Sequence, residues 1–524
     1  MAEFCTADAA AALIEDGATL TVSSSSALGC PDATLAAIGR RFAQSGHPRE
    51  LTSIHPIAAG DMYGVDGIEH LAQDGLLKRV IAGSLPSGPS SMPSPRIWQM
   101  IGDNRVQAYN FPSGILFHMH REAAAQRPGI LTKVGMDTFV DPLLLGGRMN
   151  ECSREDLVTR VHFDGQDWLY FRSTPIDVAL VRGTSADENG NISTEHEGGF
   201  LGGYDQALAA HNNGGLVIAQ VKRVVRAGSL SPQSIRIPGT VVDYVVTAPD
   251  QLQTTETPYE PAISGQIRVP DAHFSLMPWQ PTKPMARRAA MELRAGDVVN
   301  LGFGISALVP RILLEAGKAD AVTWAIEQGA VGGIPLLDFQ FGCAANTQAI
   351  MASPDQFTFF HGGGFDRSFL SFLQIDAAGN VNVSRLAARP HVTAGVGGFI
   401  DITSSARGIV FVGTFTTGGL RLKVEGGRMH IDREGRISKI VPSVEHITFS
   451  GQRALKQGQH VTYITERCVM RLLPQGLTIT EIAPGIDLQR DIMDQTEVRL
   501  QVGDPLRRMD AQLFVPESFE LPLE

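Results

Sequence analysis

The chain has 524 residues, 43% of them hydrophobic and 19% charged, with a net charge of −11. That length exceeds one ordinary core and predicts two domains of roughly 250 residues each. The acidic balance argues against nucleic acid or an anionic membrane as partner, since both reward a basic face.

Five cysteines (Cys5, Cys30, Cys152, Cys343, Cys468) are scattered, with no CxxC spacing. This fits a reducing compartment without structural zinc or disulfides. The opening MAEFCTADAAAALIEDG has acids and no basic-then-apolar leader, so no secretory signal is expected. No apolar run reaches the ~18 residues that span a bilayer. A cytoplasmic enzyme is the expectation.

Alternating apolar strands and amphipathic helices predict α/β architecture with mostly parallel sheets. The first strand and turn, DGATLTVSSSSALGCP, carry Ser23 to Ser26. No G-x-S-x-G elbow surrounds these serines, so they are expected to give hydrogen bonds at a strand end rather than a nucleophile. In LFHMHRE, His118 and His120 alternate as in a strand. Packing is expected of them rather than metal binding, because no third ligand is evident. ADENGNIS (Asp187, Gly190, Asn191) reads as a hairpin-type turn in which glycine supplies a positive φ. An apolar strand follows from Gly214. The proline-rich stretch over residues 259–284 reads as a linker or cover, with a helix predicted from near Pro284. The expected domains are 1–275 and 276–524.

The second half repeats the order of the first. AGDVVNLGFGISALVP sets Gly296 and Pro310 at the 14-residue spacing of Gly17 and Pro31. DAAGNVNV (Asp376, Gly379, Asn380) answers ADENGNIS, and an apolar strand again follows, from Arg407. Shared order predicts an internal duplication. Its chemistry is uneven: the second strand of the later half stops on Glu327, whereas LTSIHPIAAG in the first half has no acid there. One half is expected to carry a nucleophile and the other to supply walls and substrate contacts.

From Gly296 to Gly333 the chain reads as strand, glycine-rich turn, helix, strand. Parallel strands put the Gly302-Phe303-Gly304 turn and Glu327 at one rim of the sheet. Further glycine turns fall at Gly329 to Gly333, Gly362 to Gly364 and Gly395 to Gly398. Such turns allow close backbone approach to a ligand and leave N–H groups free for its oxygen. With a carboxylate beside them they suggest nucleophilic acyl chemistry with an oxyanion site. The plainer alternative is a surface acid capping a loop. A nicotinamide site is the other, although NLGFGISALV lacks the third glycine of G-x-G-x-x-G.

The segments GHPRELTSIHP, QAYNFPSGILFH, TKVGMDTFVDP, PIDVALVRGTSADENGNIS, NLGFGISALVP, EQGAVGG and GVGGFIDIT resemble the family I coenzyme A transferases. The likeness is to the single-chain acetate/propionate type, and it spans nearly the whole chain. It implies two homologous open α/β domains fused in tandem and a ping-pong exchange through a glutamyl-CoA thioester on Glu327. This carboxylate need only be ionised at neutral pH, so no base has to activate it. The resemblance further implies oxyanion donors at Phe303 and at Gly397 or Gly398. Gly302, Gly304, Gly362, Gly363, Gly364 and Gly395 would lie along the CoA path, and Ser24, Ser25 and Ser26 in the substrate pocket. No metal and no tightly bound cofactor is expected. CoA thioesters and carboxylic acids are the expected partners, and a homodimer or homotetramer the expected assembly. Two segments depart from the family pattern, SSSALGCPDA from Ser24 and GSLPSGPSSMPSPRIW from Gly83. They put acetate or propionate in doubt and leave room for a longer, branched or functionalised acid. An acyl-CoA hydrolase using the same glutamate is the nearest rival.

Overall fold

The computed structural model describes residues 2–87, 93–517 and 519–523. The first half builds an eight-stranded sheet from β1 (Glu3–Cys5), β2 (Thr19–Val22), β3 (Leu51–His55), β4 (Leu77–Ala82), β5 (Gln107–Asn110), β6 (Val178–Arg182), β7 (Leu216–Val221) and β8 (Tyr244–Thr247). Their spatial order is β1-β8-β7-β6-β2-β3-β4-β5, with every neighbour parallel. All five residues of β6, VALVR, are buried, as a parallel strand covered on both faces requires.

The second half builds another eight-stranded sheet from β9 (Val298–Leu301), β10 (Thr323–Trp324), β11 (Arg367–Leu370), β12 (Gly408–Val412), β13 (His460–Ile464), β14 (Cys468–Leu473), β15 (Gly476–Ile482) and β16 (Gln501–Arg508). Its order is β10-β9-β11-β12-β13-β14-β15-β16, and the first five strands are parallel. The order β3-β2-β6-β7-β8 in one sheet thus recurs as β10-β9-β11-β12-β13 in the other. The halves differ in their additions: parallel β4 and β5 in the first, antiparallel β14 and β15 in the second.

The duplication holds at atomic detail. Asp187 accepts the N–H groups of Asn189 and Asn191, and Asp376 accepts those of Ala378 and Asn380. In each turn the asparagine amide returns 3.0 Å to the aspartate, with glycine at φ +82° (Gly190) or +75° (Gly379). The turns join short antiparallel strands, as the hairpin reading expected.

One expectation fails. LFHMHRE is not a strand but the middle of helix α1 (Ser113–Ala124). Ile115, Leu116 and Met119 give it a buried helical face, and that apolar stripe outweighs the local alternation of two histidines. His120 is buried, with Nε2 2.8 Å from Thr21 Oγ1. His118 faces the second half, where its Nε2 lies 3.0 Å from the Pro354 carbonyl. Packing is their role, from a different element. The helix expected near Pro284 forms as α2 (Lys283–Ala290).

The halves share an apolar core. Phe117 of α1 stacks on Phe357 of α3 (Ser353–His361) at 5.8 Å. α1 lacks a side-chain cap of its own, since Pro112 stands at its N-cap. Asp401, in α4 (Phe399–Thr403), supplies one by accepting the Gly114 N–H at 3.0 Å. The carboxylate thereby meets the positive end of a helix from the other half. Among the described residues no helix is long and apolar enough to cross a membrane, and no His/Cys/Asp/Glu group has a metal-binding arrangement.

Candidate active site

Strand β10 continues through Ala325, whose N–H bonds the Val299 carbonyl, and then reverses. The Ile326 N–H meets the Ala330 carbonyl at 2.8 Å, and the Gly329 N–H meets the Ile326 carbonyl at 2.9 Å. Glu327 and Gln328 are therefore the central residues of a tight turn at the carboxyl end of β10. Only glycine fits at 329, with φ +114° and a Cβ that would stand 1.9 Å from the Met351 carbonyl. Because β9 and β10 are parallel, pairing Val298 with Thr323 and Val299 with Trp324, the Gly302–Gly304 turn and the Glu327 turn leave the same end of the sheet. The rim placement expected from the strand–helix–strand pattern is observed.

The facing rim belongs to the first half. Gln328 Nε2 donates to Ser25 Oγ at 3.0 Å and to Glu327 Oε1 at 3.2 Å. The N–H of Gly398, at the head of α4, lies close to the Glu327 carboxylate and acts to lower its pKa. A clasp holds this loop in place. Asn110 at the end of β5 accepts the Val396 N–H at 2.9 Å and donates to the Ala82 and Gly83 carbonyls. Leu85 N–H bonds the Ala394 carbonyl at 2.7 Å.

Glu327 remains partly accessible, yet protein surrounds it on all other sides. Desolvation first, and then the charge of Asp401, push its pKa up to about 7 against the lowering effects of Gln328 and Gly398. Asp401 is fully buried and bonded to His361 Nε2 at 2.8 Å. Its own pKa is raised by burial, which His361 and the α1 N–H groups oppose. Burial and Asp401 thus work against the ionisation that the sequence reading expects of Glu327 at neutral pH.

The other residues of the sequence reading are placed as follows. The Gly397 N–H bonds the Gly83 carbonyl at 2.8 Å and its carbonyl accepts from Ser113, so it clasps the halves and has no donor to spare. Gly362, Gly363 and Gly364 bond the Thr358, Phe360 and Phe359 carbonyls. They cap the C-terminus of α3, before the amino end of β11, and so lie away from the Glu327 rim. The Gly302 N–H is used by the Phe369 carbonyl, and Gly395 (φ +104°) packs on Asn110. Gly304, at φ +91°, shapes the turn around Ser371. Ser24 Oγ is bonded to the Ala58 carbonyl at 2.9 Å, whereas Ser26 is exposed at φ +56°. Of the three serines only Ser25 reaches the turn. Phe303 stands at the rim, and its N–H has no hydrogen-bond acceptor among the described residues. Of the Gly83–Trp98 loop, residues 88–92 lie outside the described residues.

Gln328, Asn110, His361 and Asp401 were not singled out from sequence. A cavity of about 1390 Å³ lies at the opposite rim of the second sheet near Arg367, Gly408 and His460. Three of its arginines, Arg288, Arg367 and Arg471, are tied to Glu481, Asp297 and Glu292. Nothing there matches the Glu327 constellation.

Comparisons with known proteins agree on one group. A family model described as coenzyme A transferase matches residues 4–248. The chain is 41% identical over 519 residues to caffeate CoA-transferase of Acetobacterium woodii, covering 98% of each. It is 40% identical over 514 residues to the acetate CoA-transferase YdiF of Escherichia coli (strain K12), covering 97% of this chain and 95% of that one. The acyl-CoA transferase YdiF apoenzyme from Escherichia coli O157:H7 superposes with a TM-score of 0.93 at 38% identity, covering 100% of this chain and 98% of the other. A YdiF thioester complex with CoA superposes with a TM-score of 0.91, at the same identity and coverage.

Proposed function

Because this chain belongs to the coenzyme A transferase family, in the single-chain form with both halves fused, and moves CoA between carboxylic acids, we propose that Glu327 carries the CoA as a glutamyl thioester. The observation that carries this reading is a carboxylate at the rim where the two halves meet, held by the Gly398 N–H and Gln328. The thioester complex of YdiF, a protein of nearly the same fold, supports it.

A Glu327 oxygen attacks the acyl-CoA carbonyl and expels CoA thiolate, leaving an acyl-glutamyl anhydride. The thiolate then adds to the Glu327 carbonyl and releases the first acid as its carboxylate. Glutamyl-CoA remains. An incoming carboxylate attacks the same carbon, and the steps run in reverse. Activation passes from thioester to anhydride and back, so no external energy source is needed.

Two kinds of oxyanion arise in this cycle. One forms on Glu327 itself when thiolate adds, and the Gly398 N–H and Gln328 Nε2 already face those oxygens. The other forms on the acyl carbon, for which the unpartnered Phe303 N–H is the candidate donor. The CoA arm binds away from the reacting carbon and supplies the binding energy that orients the thioester.

Borohydride trapping tests the assignment. Protein incubated with an acyl-CoA, reduced and digested should carry a glutamate-to-alcohol mass loss on the Glu327 peptide. Sustained turnover with that peptide unmodified would refute the thioester. Free thiol released without an acceptor acid measures hydrolysis separately.

The raised pKa sets a pH dependence. Only ionised Glu327 attacks, so kcat/KM for the acyl-CoA should fall about tenfold per pH unit below about 7 and level off above it. Asp401→Asn removes the repelling charge and should shift this acid limb downward, though only in part because desolvation is the larger cause. An unmoved inflection in Asp401→Asn would show that the limb belongs to another group.

A further inference from the structure

We propose that Phe303 and Phe341 form the wall that receives the acyl group, and that the acids this enzyme exchanges are monocarboxylic acids bearing an aromatic ring or a comparable planar apolar group. The proposal rests on Glu327 as the CoA carrier and names the substrate class of that site.

Phe303 is 65% exposed, among the highest values of any large apolar side chain described. Its exposure is not slack. The Phe303 carbonyl accepts from Ser371 Oγ at 2.5 Å and from Ser306 Oγ at 3.1 Å, which fixes the backbone beneath the ring. The ring stands edge-on to Phe341, with centroids 5.4 Å apart and planes at 90°. An edge-to-face pair leaves ring surface open for a third planar group to cover.

Both rings lie beside the reacting turn. Phe303 lies in the turn after β9, at the same end of the sheet as the Glu327 turn that follows the parallel neighbour β10. Phe341 precedes Gly342, where a Cβ would stand 2.8 Å from Gln328 Cδ. The pair therefore approaches the Glu327–Gln328 turn from two directions. The same segment extends to the first half: Phe339 lies 5.1 Å from the Tyr63 ring, and Gln340 Nε2 lies 3.3 Å from Thr257 Oγ1. Phe303, Phe341, Phe339 and Tyr63, drawn from both halves, thus form two neighbouring ring pairs. Exposed apolar surface gathered at a cleft beside a reactive group marks where a ligand is covered.

Charge narrows the class. The groups against Glu327 and Gln328 are Ser25, Gly199, Gly342, Gly398 and the nearby carboxylate of Asp401. Among the described residues none of these is cationic, so nothing beside the turn pairs with a second carboxylate. Dicarboxylic acids are disfavoured on that ground.

The test is a panel of acceptor acids (acetate, succinate, benzoate, cinnamate) with one acyl-CoA donor. It compares wild type with Phe303→Ala, Phe303→Leu and Phe341→Ala, each checked by thermal melting. The wild type should prefer cinnamate or benzoate to acetate and use succinate least. Phe303→Ala should lower the cinnamate-to-acetate ratio of kcat/KM about tenfold, and Phe303→Leu should recover part of that ratio. Phe341→Ala should act in the same direction. A flat wild-type preference would overturn the assignment. So would an equal loss for acetate and cinnamate, which would place the rings along the CoA arm instead. The parent reading fails in a different way, by the absence of a reducible adduct on Glu327 with any donor.

Discussion

Glu327→Gln is expected to lose CoA exchange by about 10⁴-fold or more and yet to melt at a higher temperature than the wild type above pH 7. Loss of activity follows because an amide cannot attack a thioester. The gain in stability follows from the raised pKa. A carboxyl whose pKa moves from its ordinary 4.5 to about 7 on folding favours the neutral form in the fold. Its contribution is fully present below pH 4.5 and disappears as pH rises through about 7, where the buried charge becomes a cost. The shift corresponds to at most about 3 kcal/mol, reduced by the screening that its partial exposure allows. Glutamine keeps the shape without the charge, so the melting difference should grow to a few degrees near pH 8 and vanish toward pH 4.5. Melting of both proteins across that range, beside an exchange assay, checks both halves of the prediction. A variant that is inactive but no more stable at pH 8 would mean that the carboxylate is not desolvated in the free enzyme.

The turn that carries Glu327 was legible in sequence because its signals are local. An apolar strand ends on an acid, glycines follow, and the duplicated half offers no counterpart. The parallel order and the Asp-x-x-Gly-Asn turns were legible for the same reason, since strand periodicity and turn chemistry act over a few residues. The surroundings of Glu327 were not. Asp401 meets Gly114 across 287 residues, and Gln328 meets Ser25 across 303, so no short window contains either contact. The last two glycines of Gly395-Val396-Gly397-Gly398 look alike on paper. Which N–H is free depends on the clasp from Gly83 and Asn110, a tertiary fact. Gly362 to Gly364 could have been read better. A glycine run directly after SPDQFTFFH stands where a helix needs its C-cap, a commoner use of glycine than ligand binding. The pKa of Glu327 arises from burial and from Asp401, neither of which composition reveals.

Gly398→Ala should spare the fold and disable the enzyme. Gly398 has φ −83°, a value alanine adopts without strain, so the backbone accepts the change. The added Cβ, however, would stand 2.0 Å from Glu327 Oε2 and 3.1 Å from the Phe357 ring. That ring is fully buried and wedged between Phe117 and Phe360, so it cannot yield. The carboxylate can, because it ends a flexible side chain with solvent on one side. It is therefore Glu327 that moves, away from the N–H of residue 398 and out of line with the thioester. A misplacement of about 1 Å at the reacting atom costs on the order of 10²-fold in rate. Exchange should fall by about that factor, and the melting temperature should stay within a few degrees of the wild type. Borohydride trapping should give correspondingly less adduct on the Glu327 peptide. Near-normal turnover in this variant would show that the seat beside Gly398 is not the one from which Glu327 reacts.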